Sequence, residues 1–119
     1  GLVRRALSNL LSNASRYATR GSTIAVTIEG QSEDIWIKVG NQGEPIPPEV
    51  LPQLFKRFYR AERSRTASSE HHGLGLAIVA AIARMHGGRT CASSRAGVTE
   101  IGFSLKADTA AKAPPALAV

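Results

Sequence analysis

One cysteine, Cys91, stands among 119 residues. That excludes a disulfide framework and a cysteine-based zinc centre. No apolar run approaches the ~18 residues of a membrane-spanning helix, and the N-terminus lacks the layout of a secretory signal. Aromatic residues are sparse, at 5%, which leaves little stacking surface for single-stranded nucleic acid. The three histidines, His71, His72 and His86, form no H-x-x-x-H pattern and have no acids at ligand spacing, so a histidine metal centre is not expected. Ser12 and Ser15 have no His/Asp arrangement that would make either a nucleophile.

Enough remains to fold. The chain is 43% hydrophobic and 20% charged, a balance that supports one globular core and rules out wholesale disorder. At this length there is one domain, and it reads as cytoplasmic or as a soluble piece of something larger. Fifteen Lys and Arg face nine Asp and Glu for a net charge of +6, and eleven of the fifteen are Arg, the side chain suited to bidentate phosphate contact. Residues 56–65 hold five basic groups and one acid. Such a local positive field favours a polyanion: nucleic acid, an anionic membrane or a nucleotide triphosphate.

Hydrophobic spacing predicts a helix over 2–18, with Val3, Leu7, Leu10, Leu11, Ala14 and Ala18 on one face. At about 100° per residue, Asn9, Asn13, Arg16, Tyr17 and Arg20 gather on another. Gly21 stops this helix. Ile24, Val26 and Ile28 alternate, as do Ile35, Ile37 and Val39, which predicts a hairpin with a turn around Gly30–Asp34. Residues 40–46 are a breaker-rich loop. Pro47 and Pro48 can open a short helix with an apolar face of Val50, Leu51, Leu54, Phe55 and Phe58. Residues 60–72 lack periodicity and read as a mobile loop, long enough for a lid. Residues 73–86 are apolar nearly all round, which predicts a central buried helix, capped by Gly87-Gly88. A second hairpin is predicted over 89–94 and 98–105. Residues 107–119, rich in Ala and Pro, read as a disordered tail after a domain spanning 1–106. The segregation of helices and strand pairs predicts an α+β two-layer sandwich, helices on one face of a mixed, mostly antiparallel sheet.

Three features carry chemistry, and each has an ordinary alternative. The Asn9/Asn13/Arg16/Tyr17 stripe is either a solvated helix face or an amide oxygen for Mg²⁺ beside an Arg for phosphate. Mg²⁺ takes only one or two protein oxygens and fills its shell with water and phosphate, so one Asn suffices. Gly73-Leu74-Gly75-Leu76 is either a closely packed helix entry or an anion site, where unpaired N–H groups meet a ligand that Gly lets approach. The loop Asn41–Ile46 is either a strand-to-helix turn or a holder for a purine edge.

The order of these features is more specific than any one of them. The helix N-L-L-S-N-A-S-R-Y precedes the loop V-G-N-Q-G-E-P-I-P-P-E. L-P-Q-L-F-K-R-F-Y-R follows, then a basic stretch, then H-G-L-G-L-A-I-V-A-A-I-A-R-M-H-G-G. This ordered set resembles the catalytic and ATP-binding domain of sensor histidine kinases, the Bergerat nucleotide fold, over residues 2–106. The R-R-A-x-x-N-L-L-S-N-A opening and the Asn41-x-Gly43-x-Pro45-Ile46 loop look most like the heavy-metal (copper/silver) sensor kinases. The chain begins at this helix without the strand that usually precedes it in the family, and reads as a cut-down piece.

The resemblance implies roles. Asn13 matches the Mg²⁺-binding Asn, supported by Asn9. Arg16 and Tyr17 match positions lining phosphates and base. Asn41 stands where most of the family has an Asp that accepts from the adenine amino group, and Pro45 replaces a usual Gly. Ile46 packs on adenine. Phe58, Tyr59 and Arg60 match the aromatic-basic motif, with Arg60 for the γ-phosphate and Arg57, Arg63 and Arg65 as further cations. His72, Gly73, Leu74, Gly75 and Leu76 match the second glycine box, His71 taking the place of its first Gly. Thr99, after Gly97-Val98, matches the last glycine motif. The implied ligands are ATP and Mg²⁺. The implied activity is a protein-histidine kinase that donates the γ-phosphoryl group to a histidine on a separate dimerisation domain, and then to a response regulator. No nucleic acid and no direct membrane contact are implied for this domain, whose parent is a bacterial inner-membrane sensor with its catalytic part in the cytoplasm. No H-[DE]-x-x-x-P acceptor motif is present, so this piece is expected to bind ATP and not to phosphorylate itself. The other readings are a different Bergerat-fold ATPase or serine kinase, a basic nucleic-acid binder, and a degenerate partner-binding domain.

Overall fold

A computed structural model describes residues 1–59 and 74–107. Helix α1 runs Leu2–Tyr17 and helix α2 Gly75–Met85; the strands are β1 Ala25–Gln31, β2 Asp34–Gln42, β3 Thr90–Arg95 and β4 Val98–Lys106. The strands form one sheet in the order β1-β2-β4-β3. Every pairing among the described strands is antiparallel, in keeping with the mostly antiparallel sheet expected. Both helices pack on one face, α1 over β2 and α2 over β4 and β3. This is the two-layer sandwich that the element order predicts.

Turn chemistry sets the registers. Gln31 pairs with Asp34 across a two-residue turn, and Ser32 there takes φ +57°. Arg95 pairs with Val98 across Ala96 and Gly97, at φ +51° and +79°. Positive φ at both central residues gives the turn a twist that matches the flanking strands.

The core lies between the helices and the inner rows of the sheet. Ala6, Leu10, Val79, Ala83 and Phe103 are sealed from solvent. Facing them are Ile37 paired with Phe103 and Val39 paired with Ile101. Ala6 and Ala83 let the helices approach closely where larger side chains would hold them apart. Gly88 is held by the same tightness: a Cβ there would lie 1.8 Å from the Ser104 carbonyl oxygen.

Two expectations need correction. The helix expected after Pro47 and Pro48 is a single 3-10 turn, Leu51–Gln53, followed by turns in which Phe58 takes φ +65°. Leu54 and Phe55 still pack against the core from there. Helix α2 is not buried all round: Arg84 is exposed and Met85 is 67% exposed. At the sheet edge all seven β1 residues are exposed. Val26 and Ile28 pair with the core residues Val39 and Ile37, yet neither helix reaches across to cover them. The expected lid and the expected tail from 108 onward lie outside the described residues.

Candidate functional site

The inner face of the sheet changes character at one end. Along the β2–β4 ladder the paired residues facing the helices run Ile35–Leu105, Ile37–Phe103, Val39–Ile101, then Asn41–Thr99. Three apolar pairs are followed by a polar one. Both polar residues are 6% exposed. Buried polar groups are normally satisfied, but these are only partly so. Asn41 Nδ2 donates to the Gln42 carbonyl oxygen at 3.1 Å. Among the described residues, neither Asn41 Oδ1 nor the Thr99 hydroxyl has a hydrogen-bond partner. Burial without a partner costs about 1–3 kcal/mol per group, so a ligand that satisfies them gains accordingly.

The neighbouring backbone is drawn tightly around this pair. The Gln42 carbonyl also accepts from the Thr19 N–H at 2.8 Å, which ties the end of α1 to the end of β2. The Gly43 N–H donates to the Gly97 carbonyl oxygen at 3.0 Å. The Ile46 N–H donates to Ser94 Oγ at 2.9 Å. The loop after β2 is thereby pinned to the β3–β4 hairpin. Gly43 is glycine for a steric reason: a Cβ there would lie 2.6 Å from the Tyr17 carbonyl oxygen. Ile46 is buried beside this loop at 7% exposure.

Helix α2 starts on the other side. Asn9 Nδ2 donates to the Gly75 carbonyl oxygen at 3.2 Å. Asn13 stands one turn, about 6 Å, further along α1 toward Tyr17. It is half-buried and makes no hydrogen bond among the described residues. Gly75 is exposed, and no described atom lies within 4 Å of a Cβ built on it. Close packing against the described residues therefore does not account for this glycine, and its N–H lies in the first turn of α2, where N–H groups lack helical partners. Leu74 and Leu76 flank it, half-buried, with Leu76 packed against the core.

The expected site residues thus fall into groups. Asn9 and Gly75 touch. Tyr17, Asn41, Gly43 and Thr99 meet at the end of the sheet, with Ile46 on the adjoining loop. Asn13 and Arg16, both half-buried on α1, lie between these contacts along the helix. Phe58 stands apart, 61% exposed with the Arg57 guanidinium 5.2 Å from its ring centre. Tyr59 is half-buried. Arg60, His72 and Gly73 lie outside the described residues, as do His71, Arg63 and Arg65. Sequence reasoning missed Thr19, Ser94 and the carbonyl groups of Gln42 and Gly97. Three of these four act through the main chain, which no residue type announces.

A magnesium ion fits this donor set in one way. No cluster of three or more His, Cys, Asp or Glu exists among the described residues, so the protein offers no closed cation site of its own there. Asn13 offers an uncommitted amide, and Mg²⁺ readily takes one protein oxygen beside phosphate and water.

A family profile described as "Histidine kinase-, DNA gyrase B-, and HSP90-like ATPase" matches residues 1–109. The sensor histidine kinase CusS of Escherichia coli (strain K12) is 46% identical over 106 residues, 89% of this chain and 22% of CusS. The probable sensor kinase SilS of Salmonella typhimurium is 48% identical over 88 residues, 74% of this chain and 18% of SilS. Sensor protein CzcS of Cupriavidus metallidurans is 43% identical over 93 residues, 78% of this chain and 20% of CzcS. The chain spans about a fifth of the length of these relatives. Among solved structures, the mycobacterial sensor histidine kinase MprB superposes with a TM-score of 0.74 at 30% identity, over 86% of this chain and 70% of that one. The catalytic domain of histidine kinase ThkA, in a nucleotide-free form, gives 0.73 at 27% identity, over 88% and 66%.

Proposed function

Because the chain belongs to the histidine kinase-, DNA gyrase B- and HSP90-like ATPase family, we propose that it binds Mg-ATP between α1, the start of α2 and the Asn41–Thr99 end of the sheet. From there it supplies the γ-phosphoryl group to a histidine on a separate dimerisation and phosphoacceptor domain. One observation supports this reading: two adjacent side chains, each 6% exposed, keep hydrogen-bonding capacity that no described residue meets, at the end of an otherwise apolar ladder. A ligand with a polar-edged, flat base completes that pair, and Ile46 offers it an apolar contact.

The phosphates extend toward the other wall. The first turn of α2, with its free N–H groups and positive dipole end, takes phosphate oxygens, and Gly75 lets them approach the main chain. Arg16 lies on the same stripe as Asn13, one helical turn beyond it, and offsets their charge. Asn13 would hold the magnesium ion through its amide oxygen. Held there beside phosphate, such an ion would neutralise charge on the triphosphate. Arg60 and the other cations of the basic stretch complete the charge balance in this reading.

Phosphoryl transfer relies on positioning and charge neutralisation more than on covalent chemistry by the enzyme. The bond from the γ-phosphorus to the bridging oxygen breaks, a bond to an imidazole nitrogen of the acceptor histidine forms, and ADP leaves. The acceptor comes from the other domain, and a response-regulator aspartate receives the group next. The likeness to CusS, SilS and CzcS supports a heavy-metal-responsive sensor as the parent, with this domain on the cytoplasmic side of the inner membrane. Among the described residues no helix is long and apolar enough to cross a membrane.

The test is titration of a fluorescent adenine nucleotide with and without Mg²⁺, followed by addition of a cognate phosphoacceptor domain and ATP. Magnesium-dependent binding and acid-labile phosphate on that domain are expected. Absence of nucleotide binding refutes the proposal.

A further inference from the structure

The loop after β2 is fastened to β3 through a hydroxyl. Three of the four residues 45–48 are proline, and proline has no main-chain N–H. Ile46 therefore holds the one main-chain donor of that stretch, and its N–H donates to Ser94 Oγ at 2.9 Å. No neighbouring N–H can take over if this bond is lost. The flanking prolines also fix φ, so the place of the Ile46 side chain, 7% exposed, follows from where its N–H is tied. Ser94 itself extends the polar end of the sheet onto a third strand. Asn41 pairs with Thr99, and Thr99 pairs with Ser94. The next row inward, Val39, Ile101 and Ala92, is apolar. Alanine at 94 would suit a half-buried strand position equally well in size, but it could not accept the bond.

We propose that Ser94 is a positioning residue for the nucleotide site: its hydroxyl holds Ile46 at the depth where a base meets it, before the ligand arrives. The inference rests on the Mg-ATP reading and adds to it a residue on β3 that acts through Ile46. Without the bond, the loop occupies the binding position for only a fraction of the time, and apparent affinity falls by that fraction. The phosphates and their magnesium meet the other wall, α1 and the start of α2, so that part of binding is left as it was.

Two measurements on the 119-residue chain test this. The first is hydrogen exchange of the Ile46 amide, followed by NMR without nucleotide. Protection of about tenfold or more over the unfolded-chain rate is expected. Exchange at the unfolded-chain rate overturns the proposal, whether or not any variant folds. The second is titration with ATP, in Mg²⁺ and in excess chelator, beside a thermal melt. Ser94→Ala should bind Mg-ATP about tenfold more weakly than the parent and keep the parent's ratio of affinities with and without Mg²⁺. Ser94→Thr retains the hydroxyl and should regain the parent's affinity. A lower melting temperature for Ser94→Ala with unchanged Mg-ATP affinity overturns the proposal, because the bond then serves the fold alone. A loss of affinity that Ser94→Thr does not restore, or that removes the effect of Mg²⁺, overturns it as well, since the loss is then not that of the base wall. In each of these cases the parent still binds Mg-ATP and the nucleotide reading stands. A parent chain that binds no nucleotide overturns both, and the fault then lies with the nucleotide reading.

Discussion

Asn9 on α1 donates its side-chain amide to the carbonyl oxygen of Gly75, the first residue of α2, at 3.2 Å. The bond joins residues 66 positions apart in the chain. It sets the glycine-bearing start of one helix beside the asparagine stripe of the other. Asn9 is in this respect a spacer between the two walls, with Asn13 one turn further on.

Asn9→Ala should therefore weaken nucleotide binding more than it weakens the fold. The bond is exposed, so its loss should cost about 0.5–1 kcal/mol of stability, a shift of a few degrees in the melting temperature. Nucleotide titration beside a thermal melt separates the two effects. A fall in melting temperature with unchanged affinity would show that the tether serves packing alone.

Two glycines should respond in opposite ways to the same substitution. Gly43→Ala drives a Cβ to within 2.6 Å of the Tyr17 carbonyl oxygen, and the backbone must shift, at a cost of roughly 1–3 kcal/mol. Gly75→Ala meets no described atom and should leave stability unchanged or slightly raised, since Ala is the better helix former. Its expected effect is on ligand affinity, through obstruction of the helix start. Chemical denaturation of both variants measures the first contrast, and triphosphate titration the second.

Asn13→Ala should abolish the magnesium dependence of ATP binding with little change in melting temperature. Asn13 makes no hydrogen bond among the described residues, so little native structure is lost with it. The measurement is ATP affinity with Mg²⁺ and with excess chelator. Equal stimulation by Mg²⁺ in parent and variant would remove Asn13 from the proposed role.

Burial pushes the Cys91 thiol up from its ordinary value, and the nearby Lys38 only partly opposes this. The folded chain thus holds the thiol proton more tightly than the unfolded chain. Stability linked to Cys91 is fully present below the ordinary thiol range and declines as pH rises through it. Thermal melts between pH 7 and pH 10, given as about that range for a thiol, should show a shallower decline for Cys91→Ala than for the parent. Iodoacetamide should modify the native thiol more slowly than the unfolded one, because the thiolate is the reactive form.

Much of this was legible in local pattern. The period-2 alternation of Ile35, Ile37 and Val39 foretold β2, and the apolar stripe from Val3 to Ala18 foretold α1, which ends one residue short of it at Tyr17. Leu11 is where the stripe misled: it shares the predicted apolar face and is 36% exposed, since α1 lies over β2 and no described element covers its flank. Pro47 and Pro48 carried a helix-start signal that yielded one 3-10 turn, because Leu54 and Phe55 had to reach the core from a loop pinned at Ile46 by Ser94.

The order of residue types along the chain determined the elements, the segregation of helices from strands, and which residues are polar where polarity is costly. Those are consequences of periodicity and backbone preference, which act over a few residues. Only the tertiary structure decided that Asn41 and Thr99 share one buried end of the sheet, that Gly43 has no room for a side chain, and that Asn9 reaches Gly75. Each depends on main-chain atoms brought together from distant segments, and main-chain atoms are the same in every residue.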